Sequence, residues 1–262
     1  MKIGVWATPD KARLISQLKY DYIEAEFAKL AALDDDAFRE QTALLERASL
    51  PAEAFCIFFT GANKLYTPDG DQSPLLREIA DYAERGFSRA AAWGGKIAVI
   101  GSGDARKIPD GMTRDEVEAQ FSRVLAVCGD AAERHGMKIV VEPLWTAACN
   151  YINTVAEGAA VARLAHHGAV GLLADFYHMS KNGDDVESLP QYADLLWHIH
   201  YGGPEDRGAP APGDEAILAG FADVLAKCPR AERISLECYW RPDFDTAIAA
   251  ARPLMEVFRN IR

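Results

Sequence analysis

The sequence predicts an α/β protein, a single (β/α)₈ barrel over residues 1–262, and three observations predict it. Eight short apolar runs recur along the chain, at 3–7, 22–27, 54–60, 96–101, 138–144, 170–175, 196–201 and 233–240. Longer stretches with helical patterning lie between them. No Ser/Gly linker, low-complexity tract or charge block marks a domain boundary. Strand–helix alternation repeated about eight times favours a parallel sheet closed into a barrel. A chain of 262 residues suits one such barrel, with a core large enough to fold without disulfides. An open doubly wound sheet is the alternative. It fits less well, because Gly101-Ser-Gly103 lacks the third glycine of a dinucleotide-binding turn and sits in the fourth unit.

Taken in order, the first run ends near Trp6, and the second carries Glu24 and Glu26, one of which is expected to face inward. The third is apolar from Cys56 to Phe59. Ser73-Pro74 then reads as a capping residue before a first-turn proline. After the fourth run comes a glycine loop, Gly101 to Gly111, whose Arg106 and Lys107 either meet a substrate or are solvated charges. Thr113 with Glu116, and Thr154 with Glu157, are capping boxes. Behind Thr113, the residues Val117, Phe121, Val124, Leu125 and Cys128 recur at helical spacing until Gly136 stops the helix. The acidic clusters Asp34–Asp36 and Asn182–Asp185 read as helix starts, and His135, His166 and His167 fall at helix ends. A last helix is expected from about Asp243 onward, with Ile248, Leu254, Met255 and Phe258 facing inward.

The net charge of −11 argues against a nucleic-acid partner, which requires a basic surface. No apolar run approaches the roughly 20 residues that span a bilayer. Met-Lys-Ile-Gly-Val-Trp shows no signal-peptide pattern. The five cysteines are odd in number and form no C-x-x-C pair, which points to free thiols and a cytoplasmic location.

In a barrel, chemistry sits where strands end. The fifth run ends at Glu142, the sixth at Asp175 with His178 just beyond, the seventh carries His198 and His200, and the eighth reaches Glu237. The spacings from 142 to 175, 200 and 237 are 33, 25 and 37 residues, each roughly one βα unit. One such residue alone is usually solvated or satisfied in a core. Four consecutive strands ending this way point to one rim. Glu142 and Glu237 each follow three apolar or small residues, where an ionised carboxylate is costly without a cation nearby. Three carboxylates and an imidazole suit Mn²⁺, Mg²⁺ or Co²⁺ better than a thiolate-loving metal, and Zn²⁺ also takes such ligands. His198 shares a face with His200 and is expected to support it or to be buried in the barrel.

Glu142-Pro-Leu, Asn153-Thr154, Asp175-x-x-His178, His198-x-His200 and Glu237 resemble the xylose isomerase-like TIM barrels. Among these the likeness is to the sugar isomerase/epimerase group typified by D-tagatose 3-epimerase and its ketose 3-epimerase relatives. It is specific over about 96–240 and rests on strand–helix rhythm alone before that. The resemblance implies that Glu142, Asp175, His200 and Glu237 ligate one divalent metal, commonly Mn²⁺. It implies that Glu142 and Glu237 exchange protons beside a substrate carbonyl, and that His178 and Arg207 bind substrate oxygens. Arg207 lies one residue further from His200 than the family's arginine does. Trp6, Trp145 and Trp240 are expected to wall the pocket. The group's members often associate as dimers or tetramers.

One position departs from the epimerase pattern. Ala148 stands six residues after Glu142, where the ketose 3-epimerases carry a second glutamate. The expected activity is a metal-dependent sugar isomerase or epimerase working through an enediolate on a sugar or polyol. The alternative is a dehydratase or lyase on a polyol or keto acid. A DNA-repair endonuclease would need several more His, Asp or Glu ligands for a multi-zinc site and a basic rim. A non-catalytic barrel would not need all four rim residues.

Overall fold

The computed structural model describes residues 1–68 and 70–261. Eight parallel strands close into a barrel in sequence order, with the last pairing the first. They are β1 (Lys2–Trp6), β2 (Tyr22–Glu26), β3 (Ala52–Cys56), β4 (Ile97–Ile100), β5 (Lys138–Val141), β6 (Val170–Asp175), β7 (Leu196–Tyr201) and β8 (Arg233–Leu236). The closed order excludes the doubly wound alternative. Among the described residues, no helix is long and apolar enough to cross a membrane.

The strands are mostly shorter than the apolar runs, because apolar sequence continues into the loops that pack over the barrel mouth. β3 shows this best. It spans Ala52–Cys56, starting two residues before the expected run and ending four residues before that run does. Ile57 adopts a left-handed conformation, φ 49°. A β-branched residue there cannot continue a strand, so the chain turns out of the sheet over the barrel end.

Helix starts follow the local chemistry. Thr113 accepts from the Glu116 N–H at 3.3 Å while the Glu116 carboxylate accepts from the Thr113 N–H at 2.8 Å. The Thr154–Glu157 pair does the same, at 3.2 and 3.3 Å. Asp34 caps the helix Asp35–Ala48, and Asp185 caps the 3₁₀ turn Val186–Tyr192, so both acidic clusters serve as helix starts. Ser73 differs from expectation. It is the first residue of the helix Ser73–Ala92 rather than its cap, and its N–H is met instead by Asp71 at 2.9 Å. The last helix is split into Phe244–Leu254 and Glu256–Arg259, with Pro253 lying just before the break at Met255. Ile248, Met255 and Phe258 are buried as expected, while Leu254 is only partly covered.

The barrel lumen is packed in layers. At its N-terminal end, Glu53 bulges inward and pairs with Lys2 and Arg233. Above that layer the Tyr22 ring crosses the lumen. A Cβ at Gly4 would collide with it, so glycine on β1 makes room for tyrosine on β2. The Tyr22 hydroxyl lies 2.9 Å from Ser235 Oγ. Polar side chains take over above this level, toward the C-terminal ends of the strands.

Candidate metal and active centre

Glu142 is the first residue past β5. Its N–H still reaches the Ile100 carbonyl at 3.2 Å, so its backbone stays in register although the strand has ended. Its own carbonyl accepts from Arg106 Nη1 at 2.8 Å. Asp175 closes β6 and caps the helix Phe176–Asn182. Its Oδ1 accepts from the His178 N–H at 3.1 Å, which leaves Oδ2 toward the lumen. His200 lies near the end of β7, and Glu237 follows β8. Ligand atoms of Glu142, Asp175, His200 and Glu237 all lie within 4.8 Å of one another. His200 Nδ1 is the hub, 2.8 Å from Glu237 Oε2, 3.3 Å from Glu142 Oε1 and 3.9 Å from Asp175 Oδ2.

The electrostatics of the group are unequal. Burial, helped by the neighbouring Glu237 charge, holds the Glu142 carboxyl above its ordinary range. Burial also pushes Glu237 upward, but Arg207 and His200 outweigh it and hold Glu237 below the usual range. Asp175 is likewise held low, burial being overcome by His178, Arg207 and His200. Burial works against charge on His200, yet Glu24 and Glu237 outweigh it and raise it well above an ordinary histidine. Three carboxylates this close are under-compensated by the protein's own cations, and Glu142 is where the shortfall shows. The convergence and the oxygen-rich donor set fit a divalent cation.

Arg207 sits in a tight Gly-rich loop with φ 57°. Its N–H reaches back to Gly203 O at 2.9 Å, and its carbonyl accepts from the Tyr239 N–H at 2.7 Å. Nη2 lies 2.7 Å from Glu237 Oε2 and 3.4 Å from Asp175 Oδ2. The His178 ring is buried against the same cavity, its Nδ1 accepting from the Trp145 N–H at 3.3 Å.

A cavity of about 730 Å³ opens over Glu142 and Glu237, with His178 and Arg207 in its wall. Trp6, Phe59 and Leu144 supply apolar surface, and Ser102, Thr60 and Lys107 supply polar groups. Trp145 and Trp240 are not in this wall, contrary to the sequence expectation. A turn at Trp145–Cys149 presents Ala147 and Ala148 to the cavity and packs the Trp145 ring on Tyr177, at 6.2 Å between centroids. Trp240 packs on Phe244 at 5.0 Å and faces a separate groove beside β1 and β2. Arg106 is no substrate contact either. It is fully buried and donates to the carbonyls of Ile100, Glu142 and Ile152. Lys107 remains at the cavity rim, paired with Asp104 at 2.7 Å.

Two residues near the site, Glu24 and Cys238, go beyond the residues that the strand ends single out. Glu24, in the middle of β2, is fully buried beneath the cluster, whereas Glu26 is partly exposed and pairs with Lys29 at 2.8 Å. A charged residue inside Tyr-Ile-Glu-Ala was the available signal. Cys238 follows Glu237 into the cavity wall, its Sγ against Tyr201 O at 3.2 Å, and no pattern marked it.

Known proteins agree with this architecture. The inosose isomerase of Bacillus subtilis (strain 168) is 27% identical over 144 residues, 51% of this chain and 51% of that protein, so the match spans about half the length of this curated relative. A D-psicose 3-epimerase from Clostridium cellulolyticum H10, solved with D-tagatose, superposes with a TM-score of 0.79 at 16% identity, covering 100% of this chain and 99% of that one. The IOLI protein, solved with a bound zinc atom, superposes with a TM-score of 0.74 at 19% identity, again covering 100% and 99%. The family described as xylose isomerase-like TIM barrel matches residues 12–261, and the chain belongs to that family.

Proposed function

We propose that the protein is a divalent-metal-dependent isomerase or epimerase of a small sugar or polyol, acting by proton transfer at a carbon beside a carbonyl. The observation that carries this reading is the geometry of the cluster. The Glu142 and Glu237 carboxylates both approach His200 Nδ1, at 3.3 and 2.8 Å, and both line the cavity that His178 and Arg207 wall. Two carboxylates facing one cavity let one take a proton while the other returns one, and a neighbouring cation holds both ionised. Glu237, kept ionised by Arg207 and His200, is placed to take the proton, and Glu142 to return one. Arg207 and His178 present N–H groups to substrate oxygens, and Trp6, Phe59 and Leu144 cover the carbon skeleton and exclude water.

Glu142, Asp175, His200 and Glu237 would hold the cation. When bound, it supplies positive charge for the substrate oxygen that becomes negative as the proton leaves. The bound zinc of the IOLI protein supports a metal in this fold. Mn²⁺ is our choice for the oxygen-rich set, with Mg²⁺, Co²⁺ and Zn²⁺ the other candidates.

The test is proton NMR in deuterated water with Mn²⁺-loaded protein and a panel of ketoses, aldoses, inosose-type polyols and hydroxypyruvate. The expected result is metal-dependent deuterium entry at one carbon beside the carbonyl. No entry from any of them, with metal shown to be bound, would overturn the reading. One observation favours the dehydratase or lyase alternative: Ala148 lines the cavity where a second acid would assist the epimerase reaction. Loss of water or cleavage of the skeleton in the same spectra would establish that reaction instead.

A simple variant probes the proposed metal site. A Cβ at Gly101 would overlap Glu142 Oε2, the free end of a side chain. Gly101→Ala is therefore expected to fold normally but to displace the carboxylate. Mn²⁺ affinity should fall about tenfold, as when a ligand's support is lost. Unchanged affinity on titration would show that Glu142 does not hold the ion.

A further inference from the structure

Beneath the carboxylate cluster, the lumen holds a polar group that the proposed chemistry does not use. Glu24 Oε1 lies 2.8 Å from His200 Nε2, and Glu24 Oε2 lies 2.9 Å from His198 Nε2. All three side chains are completely buried. A carboxylate enclosed this way is costly unless both its oxygens receive N–H donors, and here each oxygen has one. His198 Nε2 lies a further 3.4 Å from Ser235 Oγ, which joins the group to the Tyr22 layer.

The arrangement has a direction. His200 has two nitrogens, with Nε2 against Glu24 and Nδ1 among Glu142, Asp175 and Glu237. An ionised carboxylate only accepts, so Glu24 keeps a proton on Nε2; Nδ1 is then the nitrogen that gives up its proton to a cation and offers its lone pair to the cluster. His198 serves this arrangement through one atom only. Its Nδ1 is buried with no hydrogen-bond partner among the described residues, a cost that an ordinary core histidine would avoid. Its Nε2 contact anchors the second oxygen of Glu24, so the carboxylate cannot rotate away from His200.

We propose that Glu24 is a positioning residue for the metal. It fixes the ring orientation and tautomer of His200 so that Nδ1 faces the ion, with His198 holding Glu24 in place. This inference rests on reading the cluster as a metal site. The same three residues could instead bracket a second ion, since their ligand atoms also lie within 4.8 Å of one another. Hydrogen bonds already meet both Glu24 oxygens, which favours the positioning role.

The experiment is Mn²⁺ titration of the metal-stripped full chain, with free Mn²⁺ read by electron paramagnetic resonance, for the wild type, Glu24→Ala and Glu24→Gln. Circular dichroism of each metal-free protein reports the fold. The expected result is one Mn²⁺ per wild-type chain, affinity about 10–100-fold weaker in Glu24→Ala, and an intermediate loss in Glu24→Gln, whose carbonyl can still accept from one histidine. Wild-type affinity in folded Glu24→Ala would overturn the inference alone. If Glu24→Ala does not fold, wild-type affinity in Glu24→Gln would overturn it. Two ions per wild-type chain, falling to one in the variants, would overturn it in favour of a second metal site. No Mn²⁺ bound by the wild type would overturn the metal reading, and this inference with it.

Discussion

Glu237→Gln is expected to lower turnover of the substrate that shows deuterium exchange by about 10³-fold or more, with the fold intact. Two effects combine. The amide cannot take up a proton, and losing a positioned base typically costs 10²–10⁴-fold. It also removes a charge from the proposed donor set and from the 2.7 Å contact to Arg207 Nη2. The fold should survive, because the side chain lies past the end of β8 and glutamine has nearly the same volume. Its carbonyl can still accept from Arg207. The check is the exchange rate at saturating Mn²⁺, alongside circular dichroism. Full activity in a folded variant would remove Glu237 from the proton transfer. An inactive variant that still binds Mn²⁺ would separate its acid–base role from its role as a ligand.

The largest effect on stability is expected from Arg106→Leu. Arg106 is a fully buried cation with no carboxylate partner among the described residues, bonded to the carbonyls of Ile100 and Glu142 at the mouths of β4 and β5 and to that of Ile152 in the loop beyond. Among the described residues its Nε has no partner. Ile100 O and Ile152 O each retain a second donor, the N–H groups of Glu142 and Leu144. Glu142 O depends on the guanidinium. Leaving one buried carbonyl unpaired costs about 1–3 kcal/mol. Weakening two others and filling the space imperfectly adds to that, for a loss on the order of 3 kcal/mol or more. Urea denaturation of the metal-free protein measures this directly. Arg106→Lys should recover only part, because one ammonium cannot reproduce the planar fork. An unchanged midpoint in Arg106→Leu would show that the loop holds Glu142 without the arginine.

The sequence by itself determined the barrel and the four-residue cluster, and the reason is periodicity. Each βα unit repeats the same task, so apolar runs and capping boxes at Thr113 and Thr154 mark the elements one by one. The strand ends fall a unit apart, so Glu142, Asp175, His200 and Glu237 share one rim. Local patterns failed where a neighbour from another unit decides the outcome. Trp145 and Trp240 follow site glutamates closely, yet a turn in one loop and the packing of Phe244 in the other point them away from the cavity. Arg106 reads as a loop cation, and only the closure of two strand ends around it makes it an internal clamp. Glu24 lies 174 residues before His198 and 176 before His200. A chain pattern does not specify which inward side chains meet across a closed lumen. That meeting is set by barrel closure and by the shifts in strand register at Ile23/Glu24 and Leu172/Leu173, which the tertiary structure alone decides.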